Sequence, residues 1–86
     1  APPEEVKYKK LYGVEYIGNY DIEKNGGINV VSTTGKPVKV LILDEKDNER
    51  FYAEVSELDF EPGEAGGYDV YLVGNKFTGR VQFSTY

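Results

Sequence analysis

The chain has 86 residues, a formal net charge of -5 and no cysteine. A chain of this length supports a single hydrophobic core, which excludes a second domain. Fifteen acidic residues against ten basic ones repel a phosphate backbone, so we expect no nucleic-acid partner. Because no disulfide can form, packing of the eight tyrosines and four phenylalanines must stabilise the fold.

The sequence begins Ala1-Pro2-Pro3 and contains no methionine, which indicates a processed product or a piece excised from a longer protein. We expect residues 1–5 to be a disordered lead-in or linker, since prolines and acids there have nothing to bury. Residues 6–86 are predicted to form one domain. The longest apolar run, Val38 to Leu43 with Lys39 inside it, is far shorter than the roughly 20 residues of a membrane helix, so no direct membrane span is expected.

The first predicted elements are strands. Between Tyr8 and Ile22 a period of two runs through even positions, with interruptions at Gly13 and Gly18-Asn19; its members are Tyr8, Tyr12, Val14, Tyr16, Tyr20 and Ile22. This period of two predicts two short strands around a bend or bulge. Glu23 to Gly27 predicts a turn, because adjacent Asn and Gly tolerate positive φ, and a strand from Ile28 to Ser32 follows it.

The middle of the chain contains the predicted core strand. Val38 to Leu43 is almost wholly apolar, as expected of a central strand that is covered on both faces. An acidic connection over residues 44–49 separates it from a predicted strand, Arg50 to Val55, and a short extended or irregular piece, Glu57 to Phe60. The glycines and proline of Glu61 to Gly67 predict a break in the sheet.

The chain is predicted to end in a hairpin, with strands Tyr68 to Val73 and Gly79 to Tyr86 around a turn over residues 74–78. About seven short strands without an amphipathic helix predict an all-β fold, an antiparallel β-sandwich of jelly-roll or Ig-like type. Alternate residues of each strand should then face the core. The predicted core residues are Val14, Tyr16, Val30, Val38, Val40, Ile42, Tyr68, Val70, Leu72, Val81 and Phe83.

The residue types argue against an enzyme. The chain has neither histidine nor cysteine, the side chains that most often move protons or attack substrates near neutral pH. A Ser-Lys arrangement or a carboxylate pair stays formally open, but no serine lies in a nucleophile elbow. We therefore predict no catalytic activity and no catalytic residues.

One loop is rich in oxygen ligands of the kind that calcium prefers. Asp44, Asp47, Asn48 and Glu49 lie within six positions of one another, with Glu45 between them. The spacing does not match an EF-hand, and an acidic loop tip that is simply solvated is the alternative. Calcium is the only cofactor that the sequence suggests.

Tyrosines supply the other candidate site. A tyrosine ring offers an apolar face and a polar tip, which suits protein or sugar surfaces. Tyr8, Tyr12 and Tyr71 are the candidates for an exposed binding patch, and the alternative is that they build the core and its rim. The absence of tryptophan makes a sugar-stacking platform the weaker of the two binding hypotheses.

A family pattern runs through the second half of the chain. From Gly66 to Phe83 a glycine and an aromatic residue open a strand, an asparagine ends it, and a threonine precedes a closing Val-x-Phe strand. Together with Gly27 to Val31 and Pro37 to Asp44, this segment resembles the GOLD (Golgi dynamics) β-sandwich domain over approximately Tyr8 to Tyr86. The chain also resembles, as a second candidate family, the pre-peptidase C-terminal domains of secreted proteases, which share the Gly-x-Tyr and Asn pattern.

The resemblance implies a non-catalytic protein-interaction module of a larger extracytoplasmic or secreted protein. Its partner would be a protein or a neighbouring domain of the parent chain. The cysteine pair of the eukaryotic cargo receptors in this family is missing, which favours a prokaryotic relative. Two alternatives stay open, namely a calcium- or carbohydrate-binding accessory domain of a secreted hydrolase, and a structural domain of a surface layer, adhesin or virion.

Overall fold

The structure, a computed structural model, describes residues 4–86, and these contain strands and no helix, hence no helix that could cross a membrane. Every strand pairing is antiparallel, which confirms the all-β antiparallel class. Residues 1–3 of the predicted lead-in lie outside the described residues, and Glu4 and Glu5 already belong to the first strand. The strands are β1 Glu4–Ile22, β2 Ile28–Ser32, β3 Val38–Leu43, β4 Glu49–Val55, β5 Glu57–Phe60 and β6 Gly66–Thr85.

Strand β6 is the central strand of the sheet and pairs with three other strands. Along one edge it pairs with β1 over almost its whole length. Along the other edge, residues 69–73 of β6 pair with β3, and residues 81–85 pair with β2. Strand β4 continues the sheet beside β3, and β5 continues it beside β2. The first half-sheet therefore has the order β4-β3-β6-β1, and the second half-sheet has the order β5-β2-β6-β1.

The two half-sheets share one core and form a nearly closed barrel. The first contributes Val40, Ile42 and Leu72, and the second contributes Val30 and Phe83, all essentially inaccessible to solvent. Burying such side chains stabilises the fold by about 1.5–3 kcal/mol each. The residues predicted to face the core are buried, with the exception of Val14 and Tyr16.

The prediction that Val14 and Tyr16 face the core is wrong, because they are 65% and 54% exposed. Strand β1 shifts its register against β6 between Tyr8 and Leu11, again at Tyr12, and once more between Tyr16 and Gly18. Each extra residue at such an irregularity moves the following side chains to the opposite face of the sheet. Even positions consequently face inward at both ends of β1 and outward in its middle.

The predicted hairpin over Tyr68 to Tyr86 is also wrong, since β6 is one strand of 20 residues. Asn75 and Lys76, expected in a turn, lie within the strand, and Lys76 has a φ of 67°. This positive φ lies at the point where β6 bends from the first half-sheet into the second. Strand β1 bends with β6 and stays paired with it. Each end of the chain therefore forms one long strand where two short strands were predicted.

Strand β3 has the predicted bounds and lies between β4 and β6, but only one of its faces is buried. Val38, Val40 and Ile42 face the core, whereas Lys39 and Leu41 are half-buried on the other side. The prediction of a strand covered on both faces is therefore wrong. The sequence from Val38 to Leu43 is almost wholly apolar because the outer face of β3 also carries apolar side chains.

Gly74 provides a test of the close packing between β1 and β6. An alanine Cβ at this position would clash with the Leu11 carbonyl oxygen and lie 2.6 Å from Leu11 Cγ. We expect Gly74→Ala to lower the free energy of unfolding by about 1–3 kcal/mol, because backbone cannot easily move aside. Gly18→Ala is the matched control, since its nearest neighbour would be 3.9 Å away, and it should change stability by less than about 0.5 kcal/mol. Equal urea midpoints for the two variants would contradict this packing.

Candidate functional site

The outer surface of the first half-sheet carries a row of four large apolar side chains, three of them tyrosines, across four strands. Tyr16 pairs with Tyr71, Tyr71 with Leu41, and Leu41 with Tyr52. Residues directly opposite in antiparallel strands have side chains on the same face. Neighbouring strands lie about 4.8 Å apart, so this row spans roughly 15 Å of surface.

Apolar side chains widen the row into a continuous surface. Val14 pairs with Val73, two residues along each strand from the Tyr16–Tyr71 pair. Tyr12 lies two residues before Val14 on the same face. In the described part of the chain, the other large hydrophobic side chain with comparable exposure is Tyr86. We call this surface the tyrosine face, and it consists of Tyr12, Val14, Tyr16, Leu41, Tyr52, Tyr71 and Val73.

Asp69 lies at one end of the tyrosine face, and two side chains fix its orientation. The Tyr16 hydroxyl donates a hydrogen bond to Asp69 Oδ1 over 3.1 Å, and Asn19 Nδ2 donates to the same oxygen over 3.0 Å. Gly67 makes room for the amide, since a Cβ there would lie 3.0 Å from Asn19 Oδ1. Partial burial and the hydrogen bond to Asp69 raise the pKa of Tyr16, so its hydroxyl remains a neutral donor.

A cation of the chain itself already contacts the opposite end of the tyrosine face. Lys39 Nζ lies 5.3 Å from the centroid of the Tyr52 ring, within the range of a cation–π interaction. Lys39 pairs across the sheet with Glu54, which places a carboxylate beside it. The Tyr52 end therefore carries one positive and one negative side chain, whereas the Tyr16 end carries the negative charge of Asp69.

The structure places the three predicted binding residues in two locations. Tyr12 and Tyr71 lie on the tyrosine face. Tyr8 lies on the inner side of β1, where it packs against the core with its ring 6.4 Å from that of Phe77. The three tyrosines thus do not form one patch, and Tyr8 belongs to the rim of the core.

Tyr8 carries a buried hydroxyl without a hydrogen bond of ordinary geometry. Burial and the nearby Glu15 carboxylate raise the pKa of Tyr8. Since an unsatisfied buried hydroxyl is costly, we expect Tyr8→Phe to raise the free energy of unfolding by about 1 kcal/mol. Tyr12→Phe, at a side chain that is 62% exposed, should change it by less than about 0.5 kcal/mol. Urea unfolding at neutral pH measures both, and a destabilised Tyr8→Phe would show that the hydroxyl has a partner.

A depression in the surface lies elsewhere, at the end of the first half-sheet near Arg50. It is open, with a volume of about 520 Å³. The Arg50 guanidinium lines it and lies 3.5 Å from Asp44 Oδ2 and 3.3 Å from Glu64 Oε1. It also lies over the Tyr68 ring. These contacts join the β3–β4 turn to the segment before β6, and they pair Arg50 with both Asp44 and Glu64.

The candidate calcium loop forms the β3–β4 turn, in which Asp44 is a structural residue. The backbone amides of Lys46 and Asn48 each donate to Asp44 Oδ1 over 2.9 Å. Asp47 has a φ of 61° in the same turn, and Glu49 begins β4. Among residues 4–86, no three His, Cys, Asp or Glu side chains form a group that could hold a metal ion. Calcium binding by Asp44, Asp47, Asn48 and Glu49 therefore stays a prediction without a preformed site.

Hydrogen bonds from the Asn48 and Lys46 amides lower the pKa of Asp44. A carboxyl whose pKa is lowered by folding stabilises the protein above its unfolded pKa, about 3.9, and loses that contribution as the pH falls through the folded value. We expect the free energy of unfolding to fall below about pH 4, and less steeply in Asp44→Asn. Asp47→Asn is the control, because asparagine also tolerates positive φ. Urea unfolding between about pH 2 and 5 tests this, and identical profiles for wild type and Asp44→Asn would contradict it.

The sequence prediction missed Tyr16 and Tyr52 as candidate binding residues. Phe51 and Ala53 pair with the buried residues Ile42 and Val40, so the outward direction of Tyr52 between them follows from alternation once β4 is aligned with β3. Tyr16 could not be found in this way, because the register shifts in β1 reverse the expected alternation.

Comparison of the chain with protein-family models, curated proteins and solved structures found no match. Membership of the GOLD family or of the pre-peptidase C-terminal domains therefore stays a prediction from the sequence pattern. The function is accordingly inferred from the tyrosine face, its charges and its surroundings.

Proposed function

We propose that this domain is a non-catalytic protein-interaction module that binds its partner with the tyrosine face. The observation that carries the proposal is the gathering of Tyr12, Val14, Tyr16 and Tyr52 on one outer surface, each at least 48% exposed. Contiguous apolar patches on a protein surface commonly mark an interaction site, whereas scattered apolar side chains do not.

The composition of the tyrosine face supports a protein as the partner. Tyrosine is enriched at protein–protein interfaces and among the residues that contribute most binding energy. The face is broad and lies on paired strands, which present their side chains at fixed spacings. Its charged neighbours Lys39, Glu54 and Asp69 lie near its edges, as polar groups do at the rim of an interface.

The geometry is less suited to the alternative of carbohydrate binding. A sugar ring stacks on a flat aromatic platform, but the planes of Tyr16 and Tyr71 are inclined by 57°. The non-catalytic character is supported by the absence of histidine and cysteine from the sequence. Its place in a larger extracytoplasmic protein is proposed from the sequence resemblance.

A selection with a random-peptide phage library on the immobilised domain tests the proposal. We expect enriched peptides whose affinity falls about tenfold or more in the double variant Tyr16→Ser/Tyr52→Ser, because buried aromatic anchors are worth at least about 2 kcal/mol in interfaces. Tyr86→Ser is the matched control, since it removes a tyrosine ring that is 52% exposed but lies outside the tyrosine face.

Thermal unfolding of each variant should establish that it is folded before affinities are compared. Peptides that bind all variants equally, or a selection that enriches none, would refute the proposed function. A soluble oligosaccharide that binds the wild type and loses affinity in Tyr16→Ser/Tyr52→Ser would favour the carbohydrate alternative instead.

A further inference from the structure

We propose that the end of the tyrosine face formed by Tyr16, Tyr71 and Asp69 is a seat for a lysine or arginine side chain of the protein partner. This inference rests on the proposed function and names the chemistry of the group that the surface recognises. The sequence patterns assign no binding role to Asp69 or Tyr16.

The two rings form an angled wall rather than a flat surface. Tyr16 and Tyr71 are cross-strand neighbours, their centroids are 5.2 Å apart and their planes are inclined by 57°. A compact ammonium or the edge of a guanidinium can contact both ring faces within such an angle. Each ring then attracts the cation through its negative face, by about 0.5–1 kcal/mol at an exposed site.

Asp69 supplies a charge at this end of the face, and its side chain is held in place. It precedes Tyr71 by two residues on β6, so both side chains lie on the same surface. The hydrogen bonds from Tyr16 and Asn19 both fall on Oδ1, which leaves Oδ2 to accept from a ligand. The two donors orient the carboxylate in advance, so little side-chain entropy is lost on binding.

The charge of Asp69 is not neutralised within the described residues. Tyr16 and Asn19 are neutral donors, and both ion pairs found in residues 4–86 belong to Arg50. A half-buried carboxylate without a cationic partner attracts one from outside. The net charge of -5 adds long-range attraction for a basic partner.

The other end of the tyrosine face shows the same interaction within the chain. Lys39 Nζ lies 5.3 Å from the Tyr52 centroid beside the carboxylate-bearing Glu54. At Tyr16 and Tyr71 the corresponding carboxylate is Asp69, while the corresponding cation is missing from the described part of the chain. A basic side chain of the partner would supply that missing cation.

Titration of the isotope-labelled domain with short blocked peptides tests the inference by NMR. The probes are glycyl-arginyl-glycine, glycyl-lysyl-glycine and the neutral isostere glycyl-citrullyl-glycine. We expect both charged peptides to shift the amide signals of Tyr16, Asp69 and Tyr71, with dissociation constants in the range of about 1–20 mM for such small ligands. Citrulline should bind about tenfold more weakly, because it lacks the charge that strengthens a hydrogen bond to a carboxylate.

Asp69→Asn is the decisive variant, since asparagine keeps the size and an acceptor for Tyr16 but removes the charge. We expect it to weaken binding of the charged peptides about tenfold, and to leave citrulline binding unchanged. Glu57→Gln is the matched control, because it removes one exposed negative charge from β5 in the second half-sheet. It should leave all three affinities within about twofold.

The outcomes distinguish failure of the basic-group seat from failure of the proposed function. If the charged peptides cause no shifts at about 20 mM, or if Asp69→Asn binds them as wild type does, the basic-group seat is refuted. Phage-selected peptides that need Tyr16 and Tyr52 but not Asp69 would refute the seat and leave the proposed function intact. Failure of the phage selection together with failure of the tripeptides would refute both.

Discussion

The antiparallel pairing of β1 with β6 is the interaction on which the rest of the structure depends. These two strands belong to both half-sheets, and they bend together where the first half-sheet passes into the second. The other strands attach to β6 by shorter pairings on its opposite edge. Close contact at the bend requires a residue without a side chain at Gly74, beside Leu11. Because the chain closes one core with two long strands, a small domain without disulfides buries its apolar residues in both half-sheets.

The same pairing creates the surface to which we assign the function. Register shifts in β1 are needed for the strand to follow the bend of β6, since an extra residue increases local twist and curvature. Each shift also exchanges the faces of the strand. Tyr12, Val14 and Tyr16 are turned outward as a result, next to Tyr71 of β6. The curvature that encloses the core and the exposure of the tyrosine face thus have one structural cause.

The charged groups of the domain divide into those with internal partners and those without. Arg50 joins Asp44 and Glu64, and this network ties two connections together at one end of the first half-sheet. Such partly exposed pairs contribute little stability individually, but they give Arg50, Asp44 and Glu64 of the depression charged partners. Asp69 is held by neutral donors only. The best candidate for recognition is therefore found on an open sheet surface rather than in the depression.

The sequence by itself determined the fold class, the bounds of β2 and β3, and most of the core, because alternation and turn residues are local properties of the chain. It also established that histidine and cysteine chemistry is absent. The tertiary structure decided the continuity of β1 and β6, the outward direction of Val14 and Tyr16, and the separation of Tyr8 from Tyr12 and Tyr71. These features depend on the register between β1 and β6, whose paired residues are between 44 positions (Ile22 and Gly66) and 79 positions (Glu4 and Phe83) apart in the chain. A shift of one residue in that register reverses a face. The glycines of β1 predict a bend or bulge, but they do not determine which side chains the shift turns outward.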